Sequence, residues 1–368
     1  MILPRLTIDL GKIEHNARNL VALLAKSSIS VTGVTKSILG DHEIAAVLLG
    51  AGISGLGDSR IENIEGMRRA GIRSEIALIR TPMLSQVDRV VRHADMSFNT
   101  ELDVIAALST AAQKLNKTHG VVLMVELGDL REGIMPDDML KTVEATLGLP
   151  NIVFRGIGAN LACLSGISPG EANMAAMSEL ADSIDAQFGP ITDIVSGGNS
   201  ANIEWALSGA ETGRINNLRL GEAILFGREA LNRQPIDGLH QDAIILVTEV
   251  IEAKKKPSLP WGVIAQNAFG EINQRCDQAD RGLTSRAIVA IGRQDIDPTG
   301  ICPPAGYKII GTSSDHLVLD VGGDHVCVGD EISFQINYSA FLRAMTSPFV
   351  GQMMSPAPNP RVVEAETF

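Results

Sequence analysis

The apolar stretch SVTGVT runs into Lys36. An amine that closes an apolar strand sits in a partly dry setting. Desolvation lowers a lysine pKa and favours the neutral nucleophile, the form that condenses with an aldehyde cofactor. A surface lysine at a strand end has the same local sequence, so Lys36 alone does not separate the two. Further along, SGGNS (Ser196, Gly198, Asn199, Ser200) and LGE (Gly221, Glu222) close two more apolar runs. Glycines let backbone N–H groups approach an anion, Asn and Ser add donors, and a following helix adds its dipole. Tight turns use the same glycines. Other run ends are also polar: Asp58-Ser59-Arg60, Arg80, Asn99, Asp129-Leu130-Arg131, Asn160 and Arg219. Arg60 and Arg80 equally suit ordinary ion pairs, and Asn99 a helix cap.

Eight apolar runs carry these residues: 30–35, 52–57, 75–80, 94–98, 120–126, 152–158, 191–195 and 215–220. Amphipathic stretches alternate with them at 41–50, 59–70, 84–92, 100–115, 136–147, 170–187, 200–208 and 222–231, with apolar residues three and four apart. Buried strands alternating with helices imply parallel pairing. Eight such units fit a (β/α)8 TIM barrel, with a doubly wound open sheet as the competing arrangement. A barrel hosts chemistry at the C-terminal ends of its strands and often binds phosphate after the seventh and eighth. From 236 onward, short alternating segments divided by Gly, Pro and Asp predict a mostly β domain. DAIILVTEVIEA reads as a strand and KKKPSLPWG as a charged, proline-broken loop. The expected organisation is an α/β barrel over 10–235, a mostly β domain from 1–9 and 236–354, and a loosely ordered Pro-rich tail, 355–368.

The chain has 368 residues, enough for two or three domains of ~100–200 residues. Hydrophobic residues are 45% and charged residues 20%, the composition of a folded protein. Thirty-one basic against forty-three acidic residues give a net charge of −12, which disfavours nucleic acid as a partner. No run is long and apolar enough to span a bilayer, and MILPRLTIDL lacks the features of a signal peptide. The cysteines, Cys163, Cys276, Cys302 and Cys327, form no C-x-x-C pair and suit a reduced, cytoplasmic protein. His325-Val-Cys327 looks like a turn between strands and not a metal pair, so no metal is expected.

A lysine after strand one and an anion cradle after strands seven and eight describe a pyridoxal phosphate site. The sequence resembles the fold-type III enzymes of the alanine racemase family. LTIDLGKIEHN is similar to that family's opening, and Lys36 matches its cofactor lysine. Arg131 in GDLREG matches the arginine near the cofactor phenolic oxygen. Asn199-Ser200 matches the phosphate motif, and Arg219-x-Gly221 the motif whose arginine faces the pyridine nitrogen. VTKSILGD, GDSRIENI, GDLREGI, NAFGE, AIGRQDID, SSDHLVLD and MTSPFV resemble the ornithine racemase-like branch, and the matches spread over nearly the whole chain. With Lys36, the expected cofactor contacts are Arg131, Asn160, Ser196, Gly198, Asn199, Ser200, Arg219, Gly221 and Glu222.

The resemblance has departures. The family's second-domain tyrosine appears as Phe269, which cannot transfer a proton, and its strand-six histidine as Asn160. A supporting lysine appears as Met124, and a late tyrosine as Pro348 or Phe349. The metal pair of D-threonine aldolase-like relatives appears as Asn337-Tyr338-Ser339-Ala340.

The resemblance implies an amino-acid racemase, acting on a basic substrate such as ornithine or lysine, that moves the Cα proton between opposite faces. Lys36 serves one face, and Asp315, His316 or Tyr338 the other. A cationic Arg219 beside the pyridine nitrogen keeps that nitrogen unprotonated, which suits racemisation better than decarboxylation. A lyase or decarboxylase of the same fold, and a non-catalytic cofactor-binding protein, are the competing functions. The family's shared active site implies a homodimer.

Overall fold

The structure is a computed structural model, and residues 3–271 and 279–356 are described. The chain opens with β1 (Arg5–Asp9), followed by α1 (Leu10–Ala25). In α1, Leu10, Ile13, Ala17, Leu20 and Leu24 are buried at helical spacing, so one face is committed to packing. Asn16 lies on that buried face. Its Nδ2 donates to the carbonyls of Ile224 (2.9 Å) and His240 (2.8 Å), and its oxygen accepts from His240 N. A buried amide is tolerated because it is satisfied at both ends.

Eight parallel strands then close a barrel: β2 (Ser30–Val34), β3 (Gly55–Asp58), β4 (Ile76–Leu78), β5 (Met96–Asn99), β6 (His119–Met124), β7 (Ile152–Gly158), β8 (Ile194–Gly198) and β9 (Asn217–Leu220). Closure comes from β2 pairing with β9, Ser30 opposite Asn217 through Gly33 opposite Leu220. This closure excludes the open sheet. Every residue of β6 is buried, as a strand covered on both faces requires. Ala77, Met96, Phe98, Val122 and Met124 pack together as one apolar cluster.

Helices alternate with the strands: α2 (His42–Gly50), α3 (Ile61–Arg69), α4 (Val87–His93), α5 (Leu102–Lys114), α6 (Pro136–Leu147), α7 (Glu171–Phe188), α8 (Ile203–Leu207) and α9 (Glu222–Phe226). Asp41 starts α2 by accepting from Glu43 N and Ile44 N, and Pro136 starts α6. Several bounds differ from expectation, two of them by four residues or more or across site residues. The seventh strand lies at 194–198, so Ser196 and Gly198 belong to it and not to the loop after it. The last helix, expected over 222–231, stops at Phe226 because Gly227 turns left-handed (φ +61°) and closes it.

The second unit comprises residues 3–9 and 242–356, the barrel unit 10–241. Its strands are β10 (Ile244–Pro257), β11 (Leu283–Val289), β12 (Ile301–Cys302), β13 (Lys308–Thr312), β14 (Leu317–Asp320), β15 (Glu331–Ile336) and β16 (Gly351–Ser355). They form a sheet in the order β12-β15-β10-β11-β14-β13, with β1 antiparallel to β10 and parallel to β16. Alternate residues of β15 are buried, so one face of that strand is apolar. KKKP was expected as loop and is strand. Lys254, Lys255 and Lys256 pair with Arg286, Ser285 and Thr284, and Glu252 sits beside Lys254 and Lys256 and offsets their charge. One helix, α10 (Tyr338–Thr346), interrupts the strands and is capped by Asn337. The tail was expected to be loosely ordered from 355, but Ser355 ends β16 opposite Asp9; residues 357–368 lie outside the described residues, as does Cys276.

Candidate active site

Lys36 begins a single 3-10 turn directly after β2. Thr35, the residue before it, is buried. Its N–H donates to Gly57 O (2.9 Å) and its Oγ1 to Asp58 Oδ2 (2.7 Å). Asp58, fully buried at the end of β3, also accepts from Arg60 N (2.9 Å) and from Asn63 Nδ2. Burial raises the Asp58 carboxyl above its usual range, and those three donors pull against the rise. Lys36 itself is half-buried. Desolvation pushes its amine below the ordinary lysine value; Arg131 and Arg219 push the same way, while Asp58 and Cys163 oppose.

Arg219, near the end of β9, is buried. One guanidinium nitrogen donates to Ser196 Oγ (2.5 Å), and another to Ala159 O (2.6 Å). Its cation stacks over the Phe98 ring at 4.9 Å. Burial pushes its pKa down to about 10, so it remains charged at neutral pH. Ser196 Oγ in turn donates to Asn217 Oδ1 (2.7 Å).

Arg131 follows β6 on a loop that Leu130 turns through a left-handed conformation (φ +54°). Glu132 grips two of its nitrogens. The Asn160 amide, after β7, lies between Arg131 and Asn199. With its oxygen toward Arg131 it accepts from both guanidinium nitrogens, one at 3.2 Å; turned over, it accepts from Asn199 Nδ2 at 2.7 Å. Asn199 Nδ2 also donates to Leu161 O (2.9 Å).

The end of β8 and the start of α9 meet at Ser200, whose Oγ accepts from Ala223 N (3.2 Å). Gly198 has φ +150°, and a Cβ there would lie 2.1 Å from Asn202 Oδ1. A Cβ on Gly221 would press on Val34 at 3.2 Å. At both positions a side chain would crowd its neighbours, so glycine is required for the close approach.

The barrel thus gathers Lys36, Arg131, Asn160, Ser196, Gly198, Asn199, Ser200, Arg219, Gly221 and Glu222 at the C-terminal ends of its strands. Glu222 is partnered by Arg233. Asp315, His316 and Tyr338 belong to the other unit. Asp315 and His316 form an exposed pair (2.8 Å) between β13 and β14, and the imidazole holds the Asp315 carboxyl below its usual range. Tyr338 opens α10 and is half-buried. Phe269 is exposed, under the Arg293 guanidinium at 4.2 Å. His325 Nδ1 and Cys327 Sγ are 3.6 Å apart on a turn, and no group of three or more metal-binding side chains occurs among the described residues.

Sequence reasoning named Asp58 as a strand end without giving it a role, and it passed over Phe98, Ala159 and Cys163. Asp58 could have been found as a carboxylate closing an apolar strand. The other three had no signal, because each matters through a contact distant in sequence.

Fold and site together define a (β/α)8 barrel with a desolvated amine at one strand end and an anion cradle at two others. The chain belongs to the alanine racemase family: the profile "Alanine racemase, N-terminal domain" matches residues 8–229. It is 39% identical to the lysine racemase of Thermotoga maritima, covering 97% of this chain and all of that one. It is 38% identical to the ornithine racemase of Acetoanaerobium sticklandii, covering 94% and 98%. An alanine racemase from a D-cycloserine-producing Streptomyces lavendulae shares the fold (TM-score 0.74, 18% identity, 97% and 98% covered). So does the D-threonine aldolase of Filomicrobium marinum (TM-score 0.72, 16% identity, 93% and 89% covered).

Members of this family use pyridoxal 5′-phosphate, and the residues present fit it. The lowered Lys36 amine suits an aldehyde. The Asn199 amide and Ser200 hydroxyl, beside glycine backbone at Gly198 and Gly221, are donors of the kind that a phosphate accepts from.

Proposed function

We propose that this protein is a pyridoxal 5′-phosphate-dependent racemase of a basic amino acid, lysine or ornithine. One observation carries the reading: the chain aligns end to end, at 38–39% identity, with a lysine and an ornithine racemase. The gathering of Lys36, Arg131 and Arg219 at one end of the barrel supports it.

Lys36 would hold the cofactor's aldehyde carbon. Gly198, Asn199, Ser200, Gly221 and the backbone N–H of Glu222 would hold its phosphate, Arg131 and Asn160 its phenolic edge, and Arg219, steadied by Ser196, its pyridine nitrogen. When bound, the cofactor acidifies the substrate Cα by drawing off electron density. Lys36, desolvated and so more often neutral, takes the Cα proton at its Nζ from one face. Arg219, cationic at neutral pH, would discourage protonation of the pyridine nitrogen, which would favour return of the proton over loss of a carboxylate. The opposite face needs a second acid, for which we assign Asp315, His316 or Tyr338, since Phe269 has no proton to give.

We further propose a homodimer in the cytoplasm. Trp261 is 93% exposed, and Val263, Phe269 and Leu283 are also exposed, apolar side chains that a partner subunit would cover. The three described cysteines are free, as in a reducing compartment. No described helix is long and apolar enough to cross a membrane. The charge of −12 disfavours nucleic acid.

Incubating the loaded enzyme with L-lysine, L-ornithine and L-alanine tests the function. Optical rotation is expected to decay with the first two and persist with the third. Persistence with both basic substrates overturns the reading.

A further inference from the structure

We infer that Glu132 recognises the distal ammonium of the substrate. This rests on the reading that the substrate is a basic amino acid.

Of the carboxylates that closely follow the barrel strands, Asp58, Glu126, Asp129 and Glu222 are committed to holding protein groups, and Glu101 after β5 stands exposed. Asp58 is bonded by Thr35, Arg60 N and Asn63. Glu126 accepts from Gly128 N and Leu130 N. Asp129, buried, accepts from the backbone N–H groups of Cys163, Leu164 and Ser165. Glu222 pairs with Arg233. These carboxylates fix loops, and loops lose their shape if the bonds are given up.

Glu132 differs. Both its oxygens face Arg131, which itself reaches the Asn160 amide beside Arg219. Glu132 is therefore part of the site and carries no loop backbone in its described bonds. Its side chain keeps only 32% of its surface in water, so its charge needs a partner.

An amino-acid substrate brings a carboxylate of its own. Arg219 is already used by Ser196 and Ala159 and is sealed in the barrel. Arg131, the more exposed cation, is the one that an incoming carboxylate meets. Arg131 then exchanges one carboxylate for another, and Glu132 is released half-buried and unpaired. A substrate with a second positive charge restores that pair, and one with a neutral side chain leaves Glu132 uncompensated. The Arg131–Glu132 pair is thus a template for a molecule carrying both a carboxylate and a distal ammonium. Discrimination comes from the penalty on neutral side chains as much as from attraction to cationic ones.

The test is equilibrium binding to the loaded enzyme, by calorimetry. Two ligands without an α-hydrogen are used, α-methylornithine and the neutral α-methylnorvaline. Glu132→Gln is expected to weaken the cationic ligand on the order of tenfold and leave the neutral one unchanged or tighter. Glu132→Asp, which keeps the charge, is expected to retain much of the preference. If Glu132→Gln does not load cofactor, seen as loss of visible absorbance, Glu132→Ala takes its place and is read with the same two ligands, an intact cationic preference overturning the assignment. Equal weakening of both ligands, or an intact cationic preference in Glu132→Gln, also overturns it. A wild-type enzyme that binds both ligands alike overturns instead the basic-substrate reading on which it rests.

Discussion

Thr35 donates a 2.7 Å hydrogen bond to the buried carboxylate of Asp58, and the next residue in the chain is Lys36. The end of β3 therefore anchors the turn that presents the amine from β2. Asp58 also lies close enough to raise the Lys36 pKa against desolvation.

Asp58→Asn should act on Lys36 in two ways. Replacing an acceptor by an amide faces one donor with another, at a cost of about 1–3 kcal/mol of stability. Removing the negative charge takes away an attraction that raises the Lys36 pKa, so the amine should titrate at lower pH than in the wild type. Denaturant melts and the pH dependence of amine labelling in cofactor-free protein read the two effects. An unchanged titration midpoint would show that Asp58 acts through geometry alone.

Lys36→Ala should abolish racemisation and the visible absorbance of the bound aldehyde. In the wild type, borohydride treatment of the loaded enzyme should leave a pyridoxyl mass on the Lys36 peptide. Labelling of another lysine would remove Lys36 from its role.

Gly198→Ala should weaken cofactor binding more than it weakens the fold. The added Cβ would meet Asn202 Oδ1 at 2.1 Å, and φ +150° disfavours any side chain. Asn202 also holds Asn199 N (3.1 Å), so the cradle shifts with it. A rise of roughly tenfold or more in the cofactor Kd, about 1.4 kcal/mol, is expected by absorbance titration.

Arg219 titrates near 10, below its ordinary value, because it is buried. Its charge is therefore constant through neutral pH, and no change in racemisation between pH 6 and about 9 should trace to it. Arg219→Gln leaves Ser196 Oγ or Ala159 O short of a donor, at about 1–3 kcal/mol each. Thermal melts should show a lowered Tm, by roughly 2–4 °C per kcal/mol in a chain of this size class.

The second acid is open to an isotope test. Asp315→Asn, a histidine variant at His316, or Tyr338→Phe should block incorporation of solvent deuterium starting from one enantiomer only. Equal loss from both enantiomers would deny the altered residue a face-specific part.

Periodicity carried the barrel. Apolar runs alternating with amphipathic stretches are local patterns, and a strand buried on both faces shows itself in its own residues, as in β6. Lys36, Arg131, Asn199 and Arg219 were legible one at a time, because each follows an apolar run. Their mutual placement was not, since residues from 36 to 219 meet only when β2 pairs with β9. The same limit explains the misread elements. KKKP looks like a loop until β11 supplies ladder partners and Glu252 offsets its charge. The final helix looks longer until Gly227 turns left-handed against His240 O, where a Cβ would lie 2.3 Å away. The bonds from Thr35 to Asp58 and from Arg219 to Ser196 and Ala159 link positions 23 to 60 residues apart. Composition and local pattern determine which segments become strands and helices. Barrel closure decides which side chains share a dry space, and it is in that space that a lysine's pKa falls and an arginine becomes a buried cation.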